Sequence, residues 1–179
     1  NKYGVRKSMF YYDPKSQPNF DYNKDFNWTT WASWSKEHAE SVGRGYNYPH
    51  VVAAYWSMYR LARNNQNLVK NHTWDWYLEQ AFQTVKFAFS RKADGTRRVD
   101  YVETGLMEGT VFLELLRDLK REGFLEKANE VERLMKERTD EWIKDQYPFG
   151  SEMAWDSTGQ EEIYGWCKYF KADEKATVT

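Results

Sequence analysis

The chain carries a single cysteine, Cys167, in 179 residues, which excludes an internal disulfide framework and any cysteine-based zinc site. Histidine is almost as scarce. The three residues, at positions 38, 50 and 72, are too scattered for a metal-ligand spacing, and no glycine-rich loop of the phosphate-cradling kind occurs, so no metal or other cofactor is expected. Net charge is missing too: 26 Lys and Arg nearly cancel 27 Asp and Glu, leaving no summed field to favour nucleic acid or an anionic membrane surface as partner. The longest mostly apolar runs, 51–55 and 111–116, fall far short of the roughly 20 residues a bilayer-spanning helix needs. A soluble protein is expected.

What is abundant is aromatic. Nine Trp and thirteen Tyr help bring Phe, Trp and Tyr to 18% of the chain, and both Trp and Tyr carry a polar group that wants a partner when buried. A Tyr- and Trp-rich core would account for them; so would a polar cleft in which aromatic faces stack on sugar rings. Two triplets, Asn27-Trp-Thr29 and Asn71-His-Thr73, have the form of N-glycosylation acceptors and lead to the expectation of a secreted glycoprotein. The chain opens Asn1-Lys-Tyr with neither an initiator Met nor a signal-type apolar region, as if processed or cut from something longer.

Residues 1–27, with Asp13-Pro14 and Gln17-Pro18 as breaks, read as an irregular lead-in. A helix is expected over 28–42, closed by Gly43 and Gly45. Pro49 suits a first helical turn, and 51–62 is then apolar on nearly every side, which predicts a buried helix. Thr73 is placed to cap the next, whose apolar residues at 74, 77, 78, 81, 82, 85, 88 and 89 form one stripe. The pattern then repeats: 106–119 is apolar over most of its circumference until Gly123, 125–147 is one-sided, and a third apolar helix over 163–170 follows a Thr158-x-x-Glu161 capping box. Residues 171–179 read as a tail. Alternation of all-round with one-sided apolar helices implies two layers, and so an all-α fold of the α/α-toroid type over 28–170. At this period six hairpins would need roughly 330 residues, so about half of an (α/α)6 ring is expected here, the remainder lying in a larger chain. A smaller closed helical array is the alternative.

Aligned at their starts, the three apolar helices read Asn47-Tyr-Pro-His50, Gly105-Leu-Met-Glu108 and Gly159-Gln-Glu-Glu162, with an ionisable residue fourth each time. An unpaired charge on an apolar helix is costly, so His50, Glu108 and Glu162 are expected at one depth around a cleft, although acids are favoured in first turns in any case. The segment 147–162 concentrates Glu152, Asp156, Glu161 and Glu162 beside Trp155. Glycoside hydrolysis needs two carboxyl groups across the bond, one kept protonated by desolvation and one ionised. The expected catalytic set is Glu162 and Asp156 with Glu108 opposite, Glu161 being accounted for by the capping box. Substrate contacts are expected from Asn47, Tyr48, His50, Glu152, Trp155 and Gln160. Two alternatives stand beside this reading: a polysaccharide lyase using Tyr48 or His50 for proton abstraction, and a non-catalytic glycan-binding or structural helical protein.

The segments 46–56 (Tyr-Asn-Tyr-Pro-His-Val-Val-Ala-Ala-Tyr-Trp), 105–109 (Gly-Leu-Met-Glu-Gly) and 150–162 resemble a family of large secreted bacterial and fungal proteins, the domain of unknown function DUF5695, which is itself similar to (α/α)6 glycoside hydrolases. The resemblance covers about 46–170. It implies extracellular carbohydrate chemistry and a toroid preceded by a β-rich region, and it carries no assigned catalytic pair onto these positions.

Overall fold

The computed structural model describes residues 2–28, 30, 35–145, 148 and 159–172. Among these the chain is all-α, with six helices and no strand beyond three isolated bridges. They are α1 (Lys36–Glu40), α2 (Asn47–Asn64), α3 (Trp74–Phe89), α4 (Thr110–Arg121), α5 (Leu125–Lys144) and α6 (Gln160–Tyr169).

The described part of the lead-in is irregular, and among the described residues of the helix expected over 28–42 only the five of α1 are helical, opened by the Ser35 hydroxyl accepting from His38 N–H. Trp28 belongs to the lead-in instead. It stacks on Tyr12, meets Tyr22 and Phe26 edge-on, and donates its indole N–H to Asn23 O at 2.8 Å. A thin apolar face does not hold a helix when a local aromatic cluster buries the same ring better.

From α2 onward the contacts define two rows. Helix α4 packs against both α2 and α6, while α3 packs against α5, and each hairpin (α2–α3, α4–α5) joins one row to the other. Direction follows from paired residues. His50 meets Glu108, Trp56 meets Asp118 and Tyr59 meets Glu122, so α2 and α4 run parallel. In the second row Glu79 meets Lys127, Lys86 meets Glu130 and Arg91 meets Glu141, so α3 and α5 are parallel as well. Between rows Tyr48 stacks on Phe87 and Tyr59 meets Trp74, which makes the hairpins antiparallel. The N-terminal ends of α2, α4 and α6 therefore gather at one end of the array.

The core lies between the rows: Val52, Tyr59, Leu78, Val85, Phe89, Phe112, Leu115, Leu116, Leu119, Val131, Met135, Trp142 and Trp166 are buried, each contributing about 1.5–3 kcal/mol on transfer from water. The inner helices are not apolar on every side, as the sequence suggested. Helix α2 buries only Tyr48, Pro49, Val52 and Tyr59, and Ala54, Ser57 and Leu61 are exposed; α4 turns Arg117, Lys120 and Arg121 outward. Helix α4 also starts later than the sequence suggested. Residues 105 and 106 are irregular, 107–109 form a turn with Glu108 at φ 61°, and the helix begins at Thr110. The turn Ala93-Asp94-Gly95 and the break at Gly123 occur where expected, both glycines at positive φ.

Candidate functional site

The gathered helix starts make two different seams. Between α4 and α6 the backbones touch: a Cβ added to Gly105 would overlap the carbonyl of Gly159, a Cβ on Gly159 would overlap that of Gly105, and one on Gly109 would overlap the Glu162 carboxyl group. Only glycine permits this approach. Into the seam runs Glu162, fully buried, accepting from Leu106 N–H at 2.6 Å and from Arg138 at 2.6 Å (Nη1) and 3.1 Å (Nη2). Arg138, equally buried, also donates to Val102 O at 2.7 Å and Thr104 O at 2.9 Å, and its guanidinium lies 4.4–4.7 Å from the ring centroids of Phe89, Trp142 and Trp166. Burial raises the Glu162 pKa, opposed by the charge and hydrogen bonds of Arg138 and by Leu106 N–H. Protonation would strand a guanidinium in the core, so the pair stays ionised. Expected as a catalytic acid or base at the cleft, Glu162 is instead sealed into a structural ion pair.

Its neighbour faces another way. Glu161, the second residue of α6, lines an open cavity of about 490 Å³ with Trp56 of α2, Met107, Glu108, and Thr110, Val111 and Glu114 of α4. Its Oε1 is buried with no hydrogen-bond partner. Desolvation raises the Glu161 pKa, the Glu162 charge adds to this, and the backbone N–H groups of Glu161, Glu108 and Gly109 oppose it. The capping box expected of Glu161 is not what α6 uses: the helix has Gly159 at its N-cap, with no side-chain cap bond, and Glu161 one position too early for the box. Thr158 lies outside the described residues.

Glu108 stands in the turn before α4, half exposed and left-handed at φ 61°, a conformation that costs a non-glycine residue about 1–3 kcal/mol. His50 Nδ1 donates to Glu108 Oε2 at 2.8 Å. Two of the three residues aligned from the sequence thus meet at one place, and the third points into the core. The remaining candidates divide. Tyr48 is buried, donates to Val42 O at 2.7 Å, accepts from Val5 N–H at 3.2 Å, and burial pushes its pKa up to about 12. Asn47 bonds Arg44 and donates to Arg6 O at 2.8 Å and Lys7 O at 3.0 Å, tying the lead-in to α2. Both expected sugar contacts are therefore structural. Gln160 is exposed at the start of α6. Glu152, Trp155 and Asp156 lie outside the described residues. Asn27 is exposed in the lead-in; Asn71 and Thr73 are exposed in the loop before α3, where Thr73 stands at the N-cap without a side-chain bond.

Sequence reasoning gave Trp56, Met107, Val111 and Glu114 no site role and discounted Glu161. The first four read as core or helix surface by period, and nothing local marks them as cavity residues. Glu161 alone had a signal, since Gly159 is as good an N-cap as Thr158 and would release it from the box.

The model of a family of unknown function (DUF5695) matches residues 1–179, and the chain belongs to that family. No curated protein and no solved structure matches it.

Proposed function

We propose that this chain contributes a glycoside-hydrolase acid/base site, with Glu161 as general acid and Glu108 as its ionised partner. The observation that carries the reading is one cavity lined by two carboxyl groups in opposed settings: Glu161 desolvated, its Oε1 unpartnered, and Glu108 half exposed with His50 donating to it. Desolvation keeps a carboxyl protonated to higher pH, ready to give its proton to the glycosidic oxygen as the C–O bond breaks. Glu108 then takes a proton from the attacking water, or attacks the anomeric carbon itself. Trp56, Met107 and Val111 offer the apolar wall against which a sugar face packs. In this reading the two rows of helices are an arc of an α/α toroid, the carbohydrate is the partner, and the protein is secreted with Asn71 as a glycan acceptor.

The test is reducing-sugar release from a panel of neutral and acidic polysaccharides. Glu161→Gln and Glu108→Gln should each lower the rate by roughly 100-fold or more with the melting temperature nearly unchanged. The rate should also fall as pH rises through the raised Glu161 pKa, and that alkaline limb should be absent from residual Glu161→Gln activity. A full rate in the Glu161→Gln chain removes Glu161 from the chemistry. Glycan binding retained by wild type without any hydrolysis would favour the non-catalytic glycan-binding reading. The lyase reading loses support from Tyr48, whose buried hydroxyl with a pKa near 12 makes a poor base.

A further inference from the structure

The Arg138–Glu162 pair is the only ion pair of the described residues in which both side chains are fully buried, and it takes no part in the proposed acid/base chemistry. Replacing such a pair by apolar residues is often neutral for stability or favourable, so its presence in a core of Phe89, Trp142 and Trp166 asks for another reason. The bonds supply one. Arg138, from α5, holds the carbonyls of Val102 and Thr104, while Glu162, from α6, holds Leu106 N–H and packs against Gly109. The pair thereby fixes both ends of the turn that presents Glu108, and fixes it to the helix that presents Glu161.

We infer that Arg138 and Glu162 are positioning residues, whose joint role is to hold the 105–109 turn in register with the first turn of α6 so that Glu108 and Glu161 address one cavity. This rests on the acid/base reading for its functional meaning, but the register itself can be observed without any substrate. The charged groups that share the cavity with Glu161 are Glu108 and Glu114, from the turn and α4; Glu162 follows it on its own helix, and His50 of α2 is bonded to Glu108. Because Glu108 and Glu161 line the same cavity, the amide resonances of Glu108 and its neighbour Gly109 should follow the Glu161 titration in the wild-type chain, and a Glu161→Gln chain identifies that component.

Two variants separate positioning from charge balance. In Arg138→Met/Glu162→Leu, the melting temperature should be kept or raised while the Glu108 and Gly109 amides no longer follow Glu161. Arg138→Lys keeps the charge but lacks the planar fork needed for two carbonyls and two carboxylate oxygens at once, so the pH-dependent amide shift should shrink to less than half. If the double variant fails to fold, Arg138→Lys carries the test alone. Amides that follow Glu161 undiminished in either folded variant overturn the inference. Coupling present in a wild-type chain that cleaves no glycan leaves the positioning intact and sinks the acid/base reading instead.

Discussion

The seam between α4 and α6 and the seam between α2 and α4 join parallel neighbours of one row by opposite means. The first is dry and closed: glycine against glycine, a buried ion pair, and aromatic rings around the guanidinium. The second is spanned by polar side-chain contacts. Trp56 Nε1 donates to Asp118 at 2.9 Å, Tyr59 OH donates to Glu122 at 2.8 Å, and His50 reaches Glu108 at 2.8 Å. A closed seam fixes geometry and leaves no room, whereas an open one leaves a cavity with acids at its lip. The difference separates a structural carboxylate from a candidate working one within two consecutive residues.

The sharpest way to break the contrast is Arg138→Ala, which leaves Glu162 charged and alone in the closed seam. A loss of about 3–5 kcal/mol is expected in urea unfolding. Gly105→Ala comes next. Its methyl meets the backbone of Gly159, which cannot rotate away as a side chain would, so the two helix starts must part at a cost of about 1–3 kcal/mol. In the open seam Trp56→Phe removes one hydrogen bond while Asp118 keeps Arg121 at 3.0 Å, so about 1 kcal/mol should be lost. Equal losses for Trp56→Phe and Arg138→Ala would mean that the two seams do not differ as described.

The smallest effect lies at the far end of the array, where Glu132 of α5 meets Lys120 of α4 and Tyr169 of α6. Burial pushes the Glu132 pKa up, but the bonds from Tyr169 and Lys120 outweigh it and the net shift is downward from 4.5. A carboxyl whose folded pKa lies below its unfolded value stabilises the fold above 4.5, and that contribution fades as pH falls through the folded value. Melting temperature against pH should therefore drop less steeply below 4.5 in Glu132→Gln than in wild type.

Much of this was legible in the sequence. The stripe from Trp74 to Phe89 predicted α3 residue by residue, and α5 began at Leu125 as read, because a one-sided apolar period has only one comfortable solution. Helix α4 was misplaced at its start because Leu106 and Met107 are apolar for reasons of their own: one is buried under the turn, the other faces the cavity. Period alone cannot distinguish a buried turn from a helical one.

The sequence by itself determined that the chain folds into helices with an apolar face and that acids cluster where the third inner helix begins. Which acid turns to the cavity and which to the core was decided only by tertiary structure. Consecutive residues on a helix point about 100° apart, so Glu161 and Glu162 could not share a direction. The rotation of α6 about its axis is set by Ile163, Trp166 and Cys167, all packed into the core. That rotation carries Glu162 inward to Arg138 and leaves Glu161 facing the cavity. Arg138 falls by helical period on the apolar stripe of α5, with Val131, Leu134, Met135 and Trp142, but only the assembled rows bring it to the carboxylate 24 residues away.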